Sequence, residues 1–94
     1  MGNALQDQGK LDEAIEAYQK AILLNPSCIE AYSNMGNALK NRGEFNEAIE
    51  AFKKAILIKP DYAVAYNNMG NTLNEQGKLD KAIELFYKAI YFKQ

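Results

Sequence analysis

The chain has 94 residues, of which 48% are apolar, and a formal net charge of −1. This is one small domain or a piece of a larger one, with apolar material enough for a core, which argues against a disordered chain, and the near-neutral balance gives no drive toward nucleic acid or an anionic membrane. Histidine is absent and Cys28 is the lone cysteine; that removes Ser-His and Cys-His nucleophile pairs, an internal disulfide and the commonest metal ligand.

No apolar run approaches the ~18 residues of a membrane span, and the first residues lack the basic-then-apolar order of a secretory signal. The opening Met-Gly is not followed by Ser or Thr at the sixth position, where Gln6 stands, so a myristoylation pattern is incomplete. A cytoplasmic location is the expectation. No glycine-rich phosphate loop and no metal-ligand cluster is present in the sequence, so neither a catalytic residue, nor a metal, nor a cofactor is expected, and the chain is not read as an enzyme. Cys28 reads as a small residue at a helix junction.

Three segments restart at Met1, Met35 and Met69, a period of 34 residues without slippage. "MGNALQDQGKLDEAIEAYQKAILLNP" and "MGNALKNRGEFNEAIEAFKKAILIKP" agree at 16 of 26 positions. Repetition at this scale signals stacked supersecondary units. The units divide the chain into a truncated repeat at 1–28, a second at 29–62 and a third at 63–94, all in a single repeat region.

In the first unit a short helical segment meets Gly9, where a left-handed residue is expected to stop it. Asp12 is the expected N-cap of the following helix, which Pro26 ends. Ser27 and Glu30 are spaced as a capping box for the next helix. There Tyr32, Met35 and Leu39 recur at helical spacing until Gly43. Asn46 should cap a second stripe of Phe45, Ala48, Ile49, Phe52, Ala55 and Ile56, closed by Pro60. Asp61 then Gly77 and Asp80 repeat the same punctuation in the third unit. Gly36 and Gly70, with Ala48, Ala55, Ala82 and Ala89, allow close helix approach, and Tyr32, Phe52, Tyr66 and Phe86 are the large side chains that fill the gaps. Glu16–Lys20, Glu50–Lys54 and Glu84–Lys88 are aligned i,i+4 pairs on a solvated face, each worth about 0.2–0.5 kcal/mol.

These residues resemble the tetratricopeptide repeat (TPR). Its signature stands here as Tyr32-x2-Met35-Gly36-x2-Leu39, Ala48-x3-Phe52 and Pro60, and again as Tyr66-x2-Met69-Gly70-x2-Leu73 and Ala82-x3-Phe86, with Gln94 in the place of the proline. The first unit joins at Met1-Gly2-x2-Leu5, Ala14-x3-Tyr18 and Pro26. The resemblance covers the whole chain and implies an all-α solenoid of antiparallel helix pairs in a right-handed superhelix, used as a protein-interaction scaffold. It also implies that first helices line a concave groove. The groove positions are then Asn3, Gln6 and Asp7; Glu30, Ser33, Asn34, Asn37, Lys40 and Asn41; and Val64, Asn67, Asn68, Asn71, Asn74 and Glu75.

Asparagine is a poor helix former, so its accumulation here needs a reason. A carboxamide donates and accepts, which suits the backbone of an extended peptide whatever its side chains. Asn34 with Asn68, and Asn3 with Asn37 and Asn71, would make two ladders. This is similar to the asparagine-lined groove of the repeat arm of O-linked N-acetylglucosamine transferases. The alternative is that these asparagines are inherited family consensus. A clamp for a chaperone's C-terminal carboxylate fits poorly: Asn3 and Asn34 match, but Val64 and Asn68 stand where basic residues are wanted.

Met1 falls in the middle of a first helix, and Ile83, Phe86, Ile90 and Phe92 lack a polar terminal helix behind them. The expectation is a piece of a longer array whose uncapped ends self-associate. Partner classes are therefore a protein or peptide segment, or further copies of the chain; a third reading is the substrate-recruiting arm of a larger enzyme such as a glycosyltransferase.

Overall fold

A computed structural model describes residues 3–93, with side-chain environments from Gly9 onward. Five helices follow in order: α1 (Asn3–Leu24), α2 (Ile29–Asn41), α3 (Phe45–Ile58), α4 (Ala63–Glu75) and α5 (Leu79–Lys93). The described residues contain no strand. The pairs α2–α3 and α4–α5 are antiparallel hairpins stacked side by side, with α4 against both α2 and α3. No described helix is long and apolar enough to cross a membrane.

The hairpin turns are made by glycine. Gly43 and Gly77 have φ of 88° and 81°, the left-handed region open to glycine at least cost. At the first turn Glu44 N–H donates to the Leu39 carbonyl at 2.9 Å and Gly43 N–H to Lys40 at 2.9 Å; Lys78 to Leu73 and Gly77 to Asn74 repeat the pattern. These are Schellman closures, which satisfy carbonyls that the ending helix would leave unpaired.

Gly9 behaves differently. It lies inside α1, which runs unbroken for 22 residues, so the expected helix stop there is not formed. Glycine permits a reversal without requiring one. A helical glycine costs only about 0.5–1 kcal/mol.

The expected side-chain caps are also replaced. Cys28, Glu44 and Tyr62 precede α2, α3 and α4, and none makes a side-chain capping bond. Asn46 and Asp80 lie within the first turns of α3 and α5, and Asp12 lies within α1. The Ser27–Glu30 box does not close: Ser27 N–H donates to Asn25 Oδ1 at 3.2 Å. The prolines set these starts. Pro26 and Pro60 each occupy the second position of a turn, closed by Cys28 N–H to Asn25 O and Tyr62 N–H to Lys59 O, both at 3.0 Å. Each turn brings the next helix in after Cys28 and Tyr62, beyond reach of Ser27 and Asp61 as caps.

The core lies between the hairpins. Ala48, Phe52, Ala55 and Ala65 are fully buried, joined by Ile15, Ala38, Leu39 and Met69. The close approach at Gly36 is literal: a Cβ there would meet the Phe52 ring at 2.5 Å, and one at Gly70 would meet the Phe86 ring at 2.7 Å. The expected Glu–Lys pairs on the outer faces do not close within 4.0 Å. Among the described residues the ion pairs are those of Arg42, with Asp12 at 2.6 Å and with Glu44. They tie α1 to the α2–α3 turn, and the bond to Asp12, followed by that to Glu44, raises the Arg42 guanidinium above its usual range.

Candidate functional site

The asparagine-bearing helices are α2 and α4, and they touch. Helix geometry places Asn34, Asn37 and Asn41 on one face of α2, at i, i+3 and i+7. On α4, Asn68 and Asn71 repeat Asn34 and Asn37 one period later, and Asn74 stands where α2 has Lys40. Asn34, Asn41 and Asn74 are exposed, and Asn37, Asn71 and Lys40 are half-buried. None of these forms a side-chain hydrogen bond with a described residue. Their side-chain donors and acceptors are left unpaired by described residues.

Asn68 is held more firmly. Its Nδ2 donates to Ser33 Oγ at 3.5 Å, a long bond that nonetheless spans the two helices. Its backbone carbonyl accepts from Thr72 Oγ1 at 2.9 Å. Thr72 is fully buried, and this i−4 bond satisfies a hydroxyl that would otherwise be costly inside the stack. Thr72 stands where the preceding unit has Ala38, and that single difference was the sequence signal for its role.

The expected groove residues do not form one surface. Ser33 is 3% exposed, beneath Asn68, and contributes to the seam between α2 and α4. Val64 and Asn67 line a separate cavity of about 450 Å³ with Phe86, Ala89, Ile90 and Lys93 on the α4–α5 side. Asn3 has its side chain outside the described residues, as do Gln6 and Asp7. What remains together is Asn34, Asn37, Lys40 and Asn41 on α2 and Asn68, Asn71 and Asn74 on α4. Such a surface can exchange hydrogen bonds with a polar ligand, but it presents no nucleophile–base pair. Among the described residues no group of three or more His, Cys, Asp or Glu is placed to hold a metal.

The α4–α5 side is apolar. Val64, Ile83 and Ile90 are 49%, 50% and 58% exposed. Phe86 and Phe92 are half-buried, the latter stacked on Tyr66 with ring centroids 5.3 Å apart.

Comparison with known proteins agrees with this architecture. Among curated proteins none matches the chain. A crystal structure of MamA superposes with a TM-score of 0.84 at 37% identity, over 89% of this chain and 49% of that one. Another MamA structure, from MSR-1, gives 0.84 at 30% identity over 94% and 50%. The chain thus spans about half the length of the MamA structures it matches. The second TPR of Spaghetti (RPAP3), bound to the HSP90 peptide SRMEEVD, gives 0.82 at 26% identity over 97% and 84%. The family profile described as TPR repeat matches residues 2–43 and 36–77, and that described as tetratricopeptide repeat matches 63–94. With profiles covering nearly its whole length and the stacked hairpins they imply, the chain belongs to the tetratricopeptide repeat family.

Proposed function

We propose that the chain is a non-catalytic protein-interaction scaffold that binds an extended polypeptide segment across α2 and α4. The observation that carries this reading is the pair of asparagine rows on touching helices, with most of their amides unengaged by described residues. Asparagine weakens a helix, so its accumulation on one face has a cost that ligand binding repays. Packed helices lie about 8–10 Å apart, close to three residues of extended chain at ~3.3 Å each. Asn34 and Asn68 are therefore spaced to grip backbone amides one tripeptide apart. The peptide-bound Spaghetti structure, similar along most of its length, supports a segment as the kind of ligand.

The test is a displayed library of unstructured peptides selected on the wild-type chain, with Kd measured for the winners. Each net hydrogen bond contributes about 0.5–1.5 kcal/mol, so Asn34→Ala with Asn68→Ala should weaken binding by roughly 10–100-fold. N-methylation of the peptide backbone should weaken it similarly, while most peptide side-chain changes should not. Unchanged Kd in the double variant would leave the asparagines as family consensus.

A second reading rests on the apolar α4–α5 side, where Val64, Ile83 and Ile90 are about half exposed. It makes this face a contact between copies. Sedimentation of wild type against Ile83→Lys with Ile90→Lys separates the two: loss of a concentration-dependent oligomer favours assembly, and a monomer at every concentration removes it.

A further inference from the structure

The asparagines occupy one side of α4, and Tyr66, Met69 and Leu73 occupy the other. This second side forms the floor of a cleft of about 560 Å³ between α3 and α5, two helices that make no close backbone approach. Its rim carries Lys53, Lys78, Lys81 and Lys88 against Glu50 and Glu84. None of the four lysines has a carboxylate of a described residue within 4.0 Å.

The repeat supplies an internal control. One period earlier the same geometry gives a smaller cleft of about 280 Å³, with Arg42 and Lys54 balanced by Glu47 and Glu50. Across the 34-residue step Gln19 is succeeded by Lys53, Glu44 by Lys78 and Glu47 by Lys81. In the earlier cleft Arg42 is neutralised by Asp12 and Glu44. In the later one that bridge is an uncharged contact, Gln76 Nε2 donating to Asn46 Oδ1 at 3.2 Å. Positive charge that the first cleft cancels internally is left over in the second.

The cleft also continues onto an aromatic shelf. Tyr66 and Lys88 line both it and an adjoining cavity of about 390 Å³ with Tyr87, Tyr91 and Phe92. Tyr87 and Tyr91 are 68% and 72% exposed, where α3, one repeat earlier, has Lys53 and Leu57. Lys88 Nζ stands 6.0 Å from the Tyr66 ring centroid, so charge and aromatic surface meet at the junction.

We propose that this cleft and shelf form a second docking site, on the face opposite the asparagines, for a polypeptide segment in which acidic residues alternate with apolar ones. The lysines receive the carboxylates, the floor of Tyr66, Met69 and Leu73 receives the smaller apolar side chains, and the shelf receives a bulky anchor. Polypeptide is favoured over nucleic acid because Glu50 and Glu84 interrupt the lysines and would repel a continuous phosphate backbone, and because the floor is apolar.

The probe is a fluorescein-labelled peptide ELELEFELE, with KLKLKFKLK and a single-stranded oligothymidine as comparisons, followed by anisotropy at several salt concentrations. The principal variant is Lys78→Glu with Lys81→Glu, which installs the residues the chain itself uses one repeat earlier and should fold unchanged by circular dichroism. Lys53→Gln, restoring the residue at Gln19, is the backup if it does not. The acidic peptide should bind wild type in a salt-sensitive manner, lose about tenfold or more in the double variant, and be indifferent to Asn34→Ala with Asn68→Ala. Tyr91→Leu should weaken the peptide only while its phenylalanine is present. The site is overturned by no binding to wild type, by equal binding to the lysine variants, by oligothymidine binding as tightly through the same lysines, or by sedimentation in which these variants abolish a self-associated form.

Discussion

Gly9 and Gly43 occupy equivalent positions in the repeat, yet they sit in different backbone conformations, and alanine distinguishes them. At neither site would an added Cβ meet an atom within 4 Å, so sterics outside the backbone do not contribute. At Gly9, inside α1, alanine removes the entropy that a helical glycine loses and should stabilise by about 0.5–1 kcal/mol. At Gly43, with φ of 88°, a Cβ is forced toward the carbonyl, and alanine should cost about 1–2 kcal/mol. In urea, with a slope of about 1.5 kcal/mol per molar, the midpoint should rise by roughly 0.3–0.7 M for Gly9→Ala and fall by roughly 0.7–1.3 M for Gly43→Ala. Circular dichroism follows the transitions, and backbone carbon chemical shifts across residues 7–13 report directly whether the helix is continuous. A Gly9→Ala variant that loses stability as Gly43→Ala does, with non-helical shifts at Gly9, would refute an unbroken α1 and restore a turn there.

Gly36→Ala drives a Cβ to 2.5 Å from a fully buried Phe52 ring; overpacking of about 1–3 kcal/mol less a helix gain of about 1 kcal/mol should lower the thermal midpoint by several degrees. Gly70→Ala meets the half-buried Phe86, which can yield, and should cost less, although the Ala82 carbonyl at 3.2 Å limits the relief. Phe52→Ala should cost about 3–5 kcal/mol, and Phe86→Ala clearly less, by the same difference in burial; paired denaturation curves check both. Arg42→Gln with Asp12→Asn copies the uncharged contact between Gln76 and Asn46; the fold should persist while the salt dependence of the melting temperature flattens, because charged pairs are screened and amide pairs are not. Thr72→Ala installs the residue found at Ala38 and should shift stability by no more than about 1 kcal/mol, since the Asn68 carbonyl keeps its place in the helix ladder.

The candidate site was legible to the extent that it depends on helix periodicity. The faces of α2 and α4 follow from residue spacing, so Asn34, Asn37, Asn68 and Asn71 could be placed before any packing was seen. Ser33 and Asn67 show the limit. They are equivalent by repeat position, yet Ser33 is covered by Asn68 while Asn67 borders an apolar cavity. Exposure depends on the neighbouring helix, which a residue's own spacing does not report. The lysine cleft was missed for a related reason: its charges come from α3, α5 and the turn between α4 and α5, and only packing gathers them.

What the sequence by itself determined is the local, periodic part of this protein. The 34-residue repeat, the glycine turns at Gly43 and Gly77, the proline-led turns at Pro26 and Pro60, and the Gly36–Phe52 contact type all follow from backbone sterics and side-chain size acting over a few residues. Only the tertiary structure decided whether Gly9 would turn, which residues would begin each helix, and which equivalent positions would be buried. Glycine makes a reversal inexpensive, and a serine makes a cap available. Whether either is used depends on the apolar surface that the next element can bury, and that is settled only when the helices meet.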